Sequence, residues 1–253
     1  MWDPLGSVHR QVFYENFDEA VYSGCAGGAV RLYQSKIIKR IPLIPSGTYL
    51  ELGSHSLELT ERVFKRLGSV SAQFIAVDIA YPKSTGISRR IQLENTYPFQ
   101  ALSLVQADVA QVPLNNQSVD VVFHGCLLHH LERPLKSLNE IRRITRDQGT
   151  IIYYLPCDPG FLLRVIQRLI SQRVAKRVMS RRKLSVKFLW SIEHRNHFSS
   201  LREMIHHVHL HDDIKSFRYP LPWKFWNFNL FEVIMITRSN EQTGDAGSSA
   251  VVD

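Results

Sequence analysis

The chain has 253 residues, 44% of them apolar, and a formal net charge of +8. That length suits one large α/β domain with additions, and that apolar share supplies a real core. No uninterrupted apolar run spans a bilayer, the first residues (Met1, Trp2, Asp3, Pro4) lack the basic-then-apolar pattern of a secretion signal, and Cys25, Cys126 and Cys157 form no CxxC pair, so a disulfide framework and a cysteine-built zinc site are excluded and a reducing, cytoplasmic setting is expected.

Residues 1–46 read as a helical cover. Phe13, Phe17, Val21 and Tyr22 form one apolar stripe, Gly24, Gly27 and Gly28 interrupt it, and Val30, Leu32, Tyr33, Ile37 and Ile38 resume it before Pro42 and Pro45. A methyl-rich strand, Tyr49 to Leu52, then follows Pro45-Ser46-Gly47 and runs through Gly53 into a helix with the stripe Leu59, Val63, Phe64 and Leu67, closed by Gly68. Ser54 or Ser56 is the expected cap. A strand that enters a helix N-terminus through glycine leaves backbone N–H groups pointing outward and lets a nucleotide-like ligand approach closely. His55 and Leu57 stand where such loops carry further glycines. His55 would need a conformation that glycine takes freely, and Leu57 would set a side chain toward the ligand.

Strands and helices keep alternating to Cys157. Phe74 to Asp78, Leu102 to Gln106, Val119 to Phe123 and Thr150 to Leu155 are apolar runs of the kind buried on both faces of a parallel sheet. Pro134 opens a helix whose inward stripe is Leu135, Leu138, Ile141 and Ile144, with Arg142, Arg143 and Arg146 at its C-terminal end. Such alternation implies right-handed crossovers and a doubly wound sheet, with ligands beyond the C-terminal strand ends. Those ends hold Glu51, Gly53, Asp78, Asp108, His124 and the segment Pro156 to Asp158. Asp120, at a strand start, reads as a structural turn acid, and Cys126 and Cys157 read as small apolar fillers.

After the fifth strand the pattern changes. Leu162, Ile166, Ile170, Val174 and Val178 repeat every four residues, flanked by Phe161, Val165 and Leu169. From Pro159 to Ile192 there is no acidic residue, whereas Arg164, Arg168, Arg173, Lys176, Arg177, Arg181, Arg182, Lys183 and Lys187 all fall there. This predicts a basic amphipathic helix inserted at 159–195, with a field that attracts phosphates, anionic lipid or nucleic acid. Ser200-x-x-Glu203 reads as a capping box for a helix starting near His197 to Ser199. Asp213 to Tyr219 and Leu230 to Thr237 read as two strands joined by an aromatic link from Trp223 to Phe228, which is expected to serve as core and lid. His206, His207, His209 and His211 are expected at a solvated junction rather than at a metal. Residues 239–253 are polar and read as a disordered tail.

Five segments, in order and at matching spacing, resemble class I S-adenosylmethionine-dependent methyltransferases, nearest the type 11 subgroup that includes the ubiquinone and menaquinone biosynthesis methyltransferases. They are Tyr49 to Gly53; Val77-Asp78-Ile79; Ala107-Asp108-Val109 with Val112-Pro113-Leu114; Asn116 to Val122 leading to Leu127-Leu128-His129-His130-Leu131; and Glu140 to Ile144 with Gly149. The likeness covers residues 47–154 and extends plausibly to 238. It implies a mostly parallel, seven-stranded Rossmann-like sheet with the last strand antiparallel beside the fifth, in a domain at 47–238. It also implies S-adenosyl-L-methionine as cofactor. Glu51 and the loop Gly53, Ser54 and His55 would meet the methionine end; Asp78 would accept from the ribose hydroxyls and Ile79 would pack on adenine. Asp108, with Val109 beside it, would accept from the adenine amino group, and His124 and Gly125 would lie near the sulfonium.

His124, His129 and His130 are the candidate proton acceptors, because a neutral imidazole titrates near working pH. Expected partners are a small or lipid-linked, anionic acceptor and a membrane surface met through 161–187. A fold that has lost the cofactor, and an RNA methyltransferase using the basic helix, are the competing expectations.

Overall fold

The computed structural model describes residues 26–79, 81, 86–171, 195–222 and 225–240. The central element is a seven-stranded sheet in the order β3-β2-β1-β4-β5-β7-β6. Its strands are β1 (Thr48–Leu52), β2 (Ala72–Asp78), β3 (Gln100–Gln106), β4 (Val119–His124), β5 (Thr145–Pro156), β6 (Asp213–Tyr219) and β7 (Phe231–Thr237). The first five are mutually parallel, and β7 lies antiparallel between β5 and β6. This is the doubly wound, Rossmann-like arrangement the alternation predicts. The strand order reverses between β1 and β4, the place where such sheets open a ligand crevice.

Helices cover both faces: α1 (Ala26–Ile38), α2 (Glu58–Leu67), α3 (Gly86–Thr96), α4 (Pro134–Ile144), α5 (Phe161–Ile166) and α6 (Phe198–Val208). One face buries an aromatic cluster in which Tyr49 stacks on Phe74 at 4.9 Å and Phe64 meets Phe74 edge-on at 4.4 Å. Tyr33 and Ile37 of α1 join that cluster. The other face is largely aliphatic and packs α4 and α6 against Leu50, Val122, Ile151 and Ile234. Arg143 of α4 ties the 112–116 turn down: it donates to the Val112 and Leu114 carbonyls and pairs with Glu140.

Several local expectations need correction. Leu135 is exposed, and Pro134 and Ser137 complete the buried stripe of α4 with Leu138, Ile141 and Ile144. The α6 cap is His197, whose Nδ1 accepts from the Ser199 N–H at 3.2 Å; Ser200 lies inside the helix. Cys126 is exposed, while Cys157 is buried, and burial pushes its thiol up. His209 is not solvated: it is fully buried, accepts from the Tyr153 hydroxyl at 2.9 Å, and its Nδ1 lies 2.7 Å from Asp212. Desolvation lowers its pKa despite that carboxylate. Asp120 is structural, as read: it accepts from the Thr48 N–H at 2.8 Å and pairs with Arg146 at 2.7 Å. The basic helix begins as predicted at Phe161 and continues as a π-helical turn from Gln167 to Ser171. The rest of that stretch, the first 25 residues, Trp223 and the tail from 241 lie outside the described residues.

Candidate cofactor site at the strand ends

The site is built by backbone at β1. All side chains from Tyr49 to Leu52 are buried, which fixes the strand between β2 and β4 and delivers Gly53 to the sheet edge. The Gly53 N–H donates to the Val77 carbonyl at 2.8 Å, and the Ser54 N–H reaches the same oxygen at 3.3 Å, so the loop is tied to the end of β2. Gly53 has φ +68°, and a Cβ there would lie 3.1 Å from Leu127 Cδ1. Bare backbone is therefore required twice over, by conformation and by the approach of the β4 loop.

The two residues that replace further glycines do take glycine-like conformations. His55 has φ +30° and Leu57 φ +59°. Leu57 opens α2 from the left-handed region with no side-chain cap, so neither Ser54 nor Ser56 caps the helix. Ser54 instead meets Tyr81, with 2.8 Å between the two hydroxyl oxygens, while Tyr81 donates to the Ala76 carbonyl at 2.6 Å. The Leu57 side chain is fully buried in the aromatic-face core, not directed at a ligand. Core burial offsets the cost of its backbone. The loop thus keeps a glycine-loop shape with non-glycine residues, one of them anchored inward.

Asp78 closes β2, and its Oδ2 accepts from the His55 N–H at 2.9 Å. The acid at the strand end and the loop before α2 are therefore one unit. Ile79 follows, 71% exposed, as an apolar surface open at the edge. One strand further out, the Asp78 carbonyl accepts from Ala107 N–H at 3.0 Å, bringing Asp108 alongside. Asp108 is exposed, accepts from the Ala110 N–H at 2.8 Å, and lines an open groove of about 610 Å³ with Gln111, Val112, Glu140 and Arg143. The Arg143 guanidinium holds the Glu140 carboxyl below the usual range. Val109 is buried and supports this turn from beneath.

Glu51 behaves differently from a ligand-facing acid. It is buried, and Thr60 of α2 donates to its Oε2. Burial pushes its carboxyl up to about 8, against the lowering effect of the Thr60 bond and with a smaller push from the Asp78 charge. At neutral pH it is protonated and uncharged.

At the end of β4, His124 sits beside Leu52 in register. It is fully buried, with its ring 5.5 Å from the Tyr153 ring. Its Nδ1 lies 2.6 Å from the Gly125 carbonyl, so Nδ1 carries the hydrogen and Nε2 is the acceptor; Nε2 is buried with no hydrogen-bond partner. Burial lowers its pKa to about 4. Gly125 passes under Tyr33 of α1, whose hydroxyl would lie 3.7 Å from a Cβ there. His129 and His130 form a 3-10 turn after β4, with their rings 3.9 Å apart; His129 is buried and His130 half-buried. Asn196 pins this turn by donating to the Leu128 and Leu131 carbonyls at 3.2 and 2.6 Å.

The structure thus gathers Glu51, Gly53, Ser54, His55, Asp78, Ile79, His124 and Gly125 at the ends of three adjacent strands, with Asp108 and Val109 on the fourth. Tyr33, Thr60, Tyr81 and Asn196 belong to the arrangement and were missed in the sequence. No local pattern marks them: Tyr33 meets Gly125, Tyr81 meets Ser54 and Asn196 meets Leu128, each far off in the chain, while Thr60 meets Glu51 across the loop between β1 and α2. Among the described residues no three His, Cys, Asp or Glu side chains come together as metal ligands.

Residues 50–153 match the family described as "Methyltransferase domain". A 2-phytyl-1,4-naphtoquinone methyltransferase from Trichormus variabilis is 29% identical over 119 residues, which span 47% of this chain and 51% of that protein; the chain thus matches about half the length of this curated relative. Among solved structures, a SAM dependent methyltransferase from Aquifex aeolicus superposes with a TM-score of 0.52 at 14% identity, over 81% of this chain and 89% of that one. The CMeT domain of the citrinin polyketide synthase gives 0.58 at 15% identity, over 92% and 57%. The sheet order and the glycine turn tied to a strand-end acid agree with the matched domain: residues 50–153 are similar to the class I S-adenosylmethionine-dependent methyltransferases of the type 11 group, whose cofactor is S-adenosyl-L-methionine, and the fold is theirs.

Proposed function

We propose that the chain transfers the cofactor's methyl group to a small or lipid-linked, anionic acceptor. The observation that carries this reading is the coupling of the β1 loop to Asp78: the loop holds its open, left-handed shape and keeps the Leu57 side chain out of the crevice. The residues present fit the cofactor on that ground, and the buried Nε2 of His124 with no hydrogen-bond partner is a second polar atom awaiting a donor. The competing view, a fold that has lost its cofactor, rests on His55 and Leu57 in place of glycines; His55 takes the positive φ that glycine would take, and the Leu57 side chain lies in the core.

When bound, the cofactor supplies an electrophilic methyl on a positively charged sulfur. The chain's own task is placement. The N–H groups of Gly53, Ser54 and His55 are bonded to Val77 and Asp78 and do not point outward as expected, so this backbone would meet the methionine end through its bare surface and carbonyls, with Asp78 at the ribose hydroxyls, Ile79 at one adenine face and Asp108 at the adenine amino group. His124 acts as a hydrogen-bond acceptor through Nε2, since an imidazole with a pKa near 4 is uncharged at neutral pH and is a weak base. His129 and His130 stand in line as the proton acceptors for an acceptor hydroxyl. Alignment of donor and acceptor supplies most of the acceleration such a transfer needs. The quinone in the name of the half-length relative supports a lipophilic acceptor, whose reduced, quinol form carries hydroxyls and becomes anionic on losing a proton.

The test is transfer of labelled methyl from S-adenosylmethionine to a reduced 2-alkyl-1,4-naphthoquinone, alongside phosphorylated sugars and RNA. Label in the quinol fraction is the expected result. Label in RNA alone would replace the acceptor assignment, and no label anywhere would remove the activity.

A further inference from the structure

We propose that the chain docks on an anionic lipid surface through the exposed side of α5 and the aromatic turn packed beside it. The exposed positions of this helical run are Phe161, Arg164, Arg168 and Leu169, spaced i, i+3, i+7 and i+8 along one side. A helix face turned to water ordinarily carries charged and polar side chains. Here two arginines lie between Phe161, 63% exposed, and Leu169, 54% exposed. The Phe161 ring lies 6.3 Å from that of Phe228, which belongs to the 3-10 turn Trp226–Phe228. Phe228 is 53% exposed and Phe225, just before the turn, 72%. Behind them Trp226 packs on Phe198 at 5.3 Å, so the turn is held rigidly by the α6 side of the core.

Three apolar side chains clustered with two arginines, and a fourth further along, match the pattern of an element lying in a lipid interface: rings enter the acyl boundary while guanidinium groups meet lipid phosphates. Charge complementarity selects the anionic surface. On the described helical run the charged side chains are Arg164, which also lies 3.7 Å from Asp158, and Arg168, and the run from Phe161 to Ser171 has no acid of its own. Nucleic acid would use those charges too and would stack on the aromatic rings, but it gives exposed Leu169 no partner, whereas an acyl boundary takes up aliphatic and aromatic side chains alike.

The location gives the surface its meaning. The α5 helix follows the C-terminal end of β5, where Pro156 pairs with Phe231 of β7. This is the edge of the sheet at which β1, β2 and β4, parallel to β5, present Gly53, Asp78 and Gly125. Docking through α5 would turn the crevice edge toward the bilayer and deliver a lipid-linked acceptor, a consequence that rests on the methyl-transfer reading; the docking itself does not.

Flotation of the full chain with phosphatidylcholine vesicles, with and without phosphatidylglycerol, tests this without any turnover. Binding should require phosphatidylglycerol and weaken as salt rises. Arg164→Ala with Arg168→Ala should cost about fivefold per arginine. Phe225→Ser with Phe228→Ser should lower binding about tenfold at unchanged melting temperature and unchanged S-adenosylhomocysteine affinity. No flotation with phosphatidylglycerol vesicles would overturn the proposal. So would binding that ignores the phenylalanine substitutions. Vesicle binding without methyl transfer to any acceptor would sustain this surface and refute the activity, so the two failures are distinct.

Discussion

The loops after β1 and β4 are neighbours at the same sheet edge, touching through Gly53 and Leu127, yet they are built on opposite plans. The β1 loop works by backbone: three of its five residues, Gly53, His55 and Leu57, have positive φ, and its N–H groups are spent on Val77 and Asp78. The β4 loop works by buried side chains, with His124 and His129 beneath the surface and the turn pinned from outside by Asn196. The comparison teaches that a glycine loop's shape can be held by a strand-end acid and an inward anchor in place of glycines. On the proposed reading, position comes from β1 and acceptor atoms from β4.

The largest effect expected is at the anchor. Leu57→Gly relieves left-handed strain but empties a fully buried site, and the lost burial should win. It should destabilise by roughly 2–4 kcal/mol in denaturant titration. A stability gain would show that the loop's conformation, not its core contact, dominates.

Next come the two buried titrating groups, Glu51 and His124, one before each loop. Their signs are opposite. Glu51 has a folded pKa near 8, above its ordinary 4.5, so its contribution is full below pH 4.5 and lost as pH rises through 8. His124 has a folded pKa near 4, below its ordinary 6.5, so its contribution is full above pH 6.5 and lost as pH falls toward 4. Glu51→Gln should therefore raise stability at pH 8 by roughly 1–3 kcal/mol and change little at pH 4. His124→Leu should flatten the decline between pH 6.5 and 4 by a comparable amount, read from chemical denaturation at each pH. Equal shifts at all pH values would show that neither group is buried in its neutral form.

The smallest effect should be His55→Gly. Relief of strain opposes the extra entropy of an unfolded glycine, and the net change should stay within about 1 kcal/mol, with cofactor affinity kept. A tenfold loss of affinity would assign the imidazole itself a ligand contact.

The same contrast explains how much the sequence discloses. Strands β1 to β5 are legible because apolar, β-branched runs bounded by breakers have one physical outcome, and the strand-end acids follow from them. Caps are less legible. Ser54 is a good capping residue, but Tyr81, 27 residues on, takes its hydroxyl. Ser200 and Glu203 spell a capping box, yet His197 starts the helix and caps it itself. His209 reads as polar and solvated because nothing nearby signals Tyr153, 56 residues earlier, whose buried hydroxyl needs its nitrogen. Leu57 is the instructive case: the sequence marks the unusual residue, and only the packing of α2 decides that its side chain goes inward.

The central claim is that this altered loop, held by Asp78, still admits the cofactor. Isothermal titration of the full chain with S-adenosylmethionine and S-adenosylhomocysteine, repeated on Asp78→Ala, tests it most directly. The account predicts one-to-one binding of both by the wild type and a loss of at least about 100-fold, roughly 3 kcal/mol, in the variant at intact fold. No heat from either ligand, or equal affinity in Asp78→Ala, would contradict it.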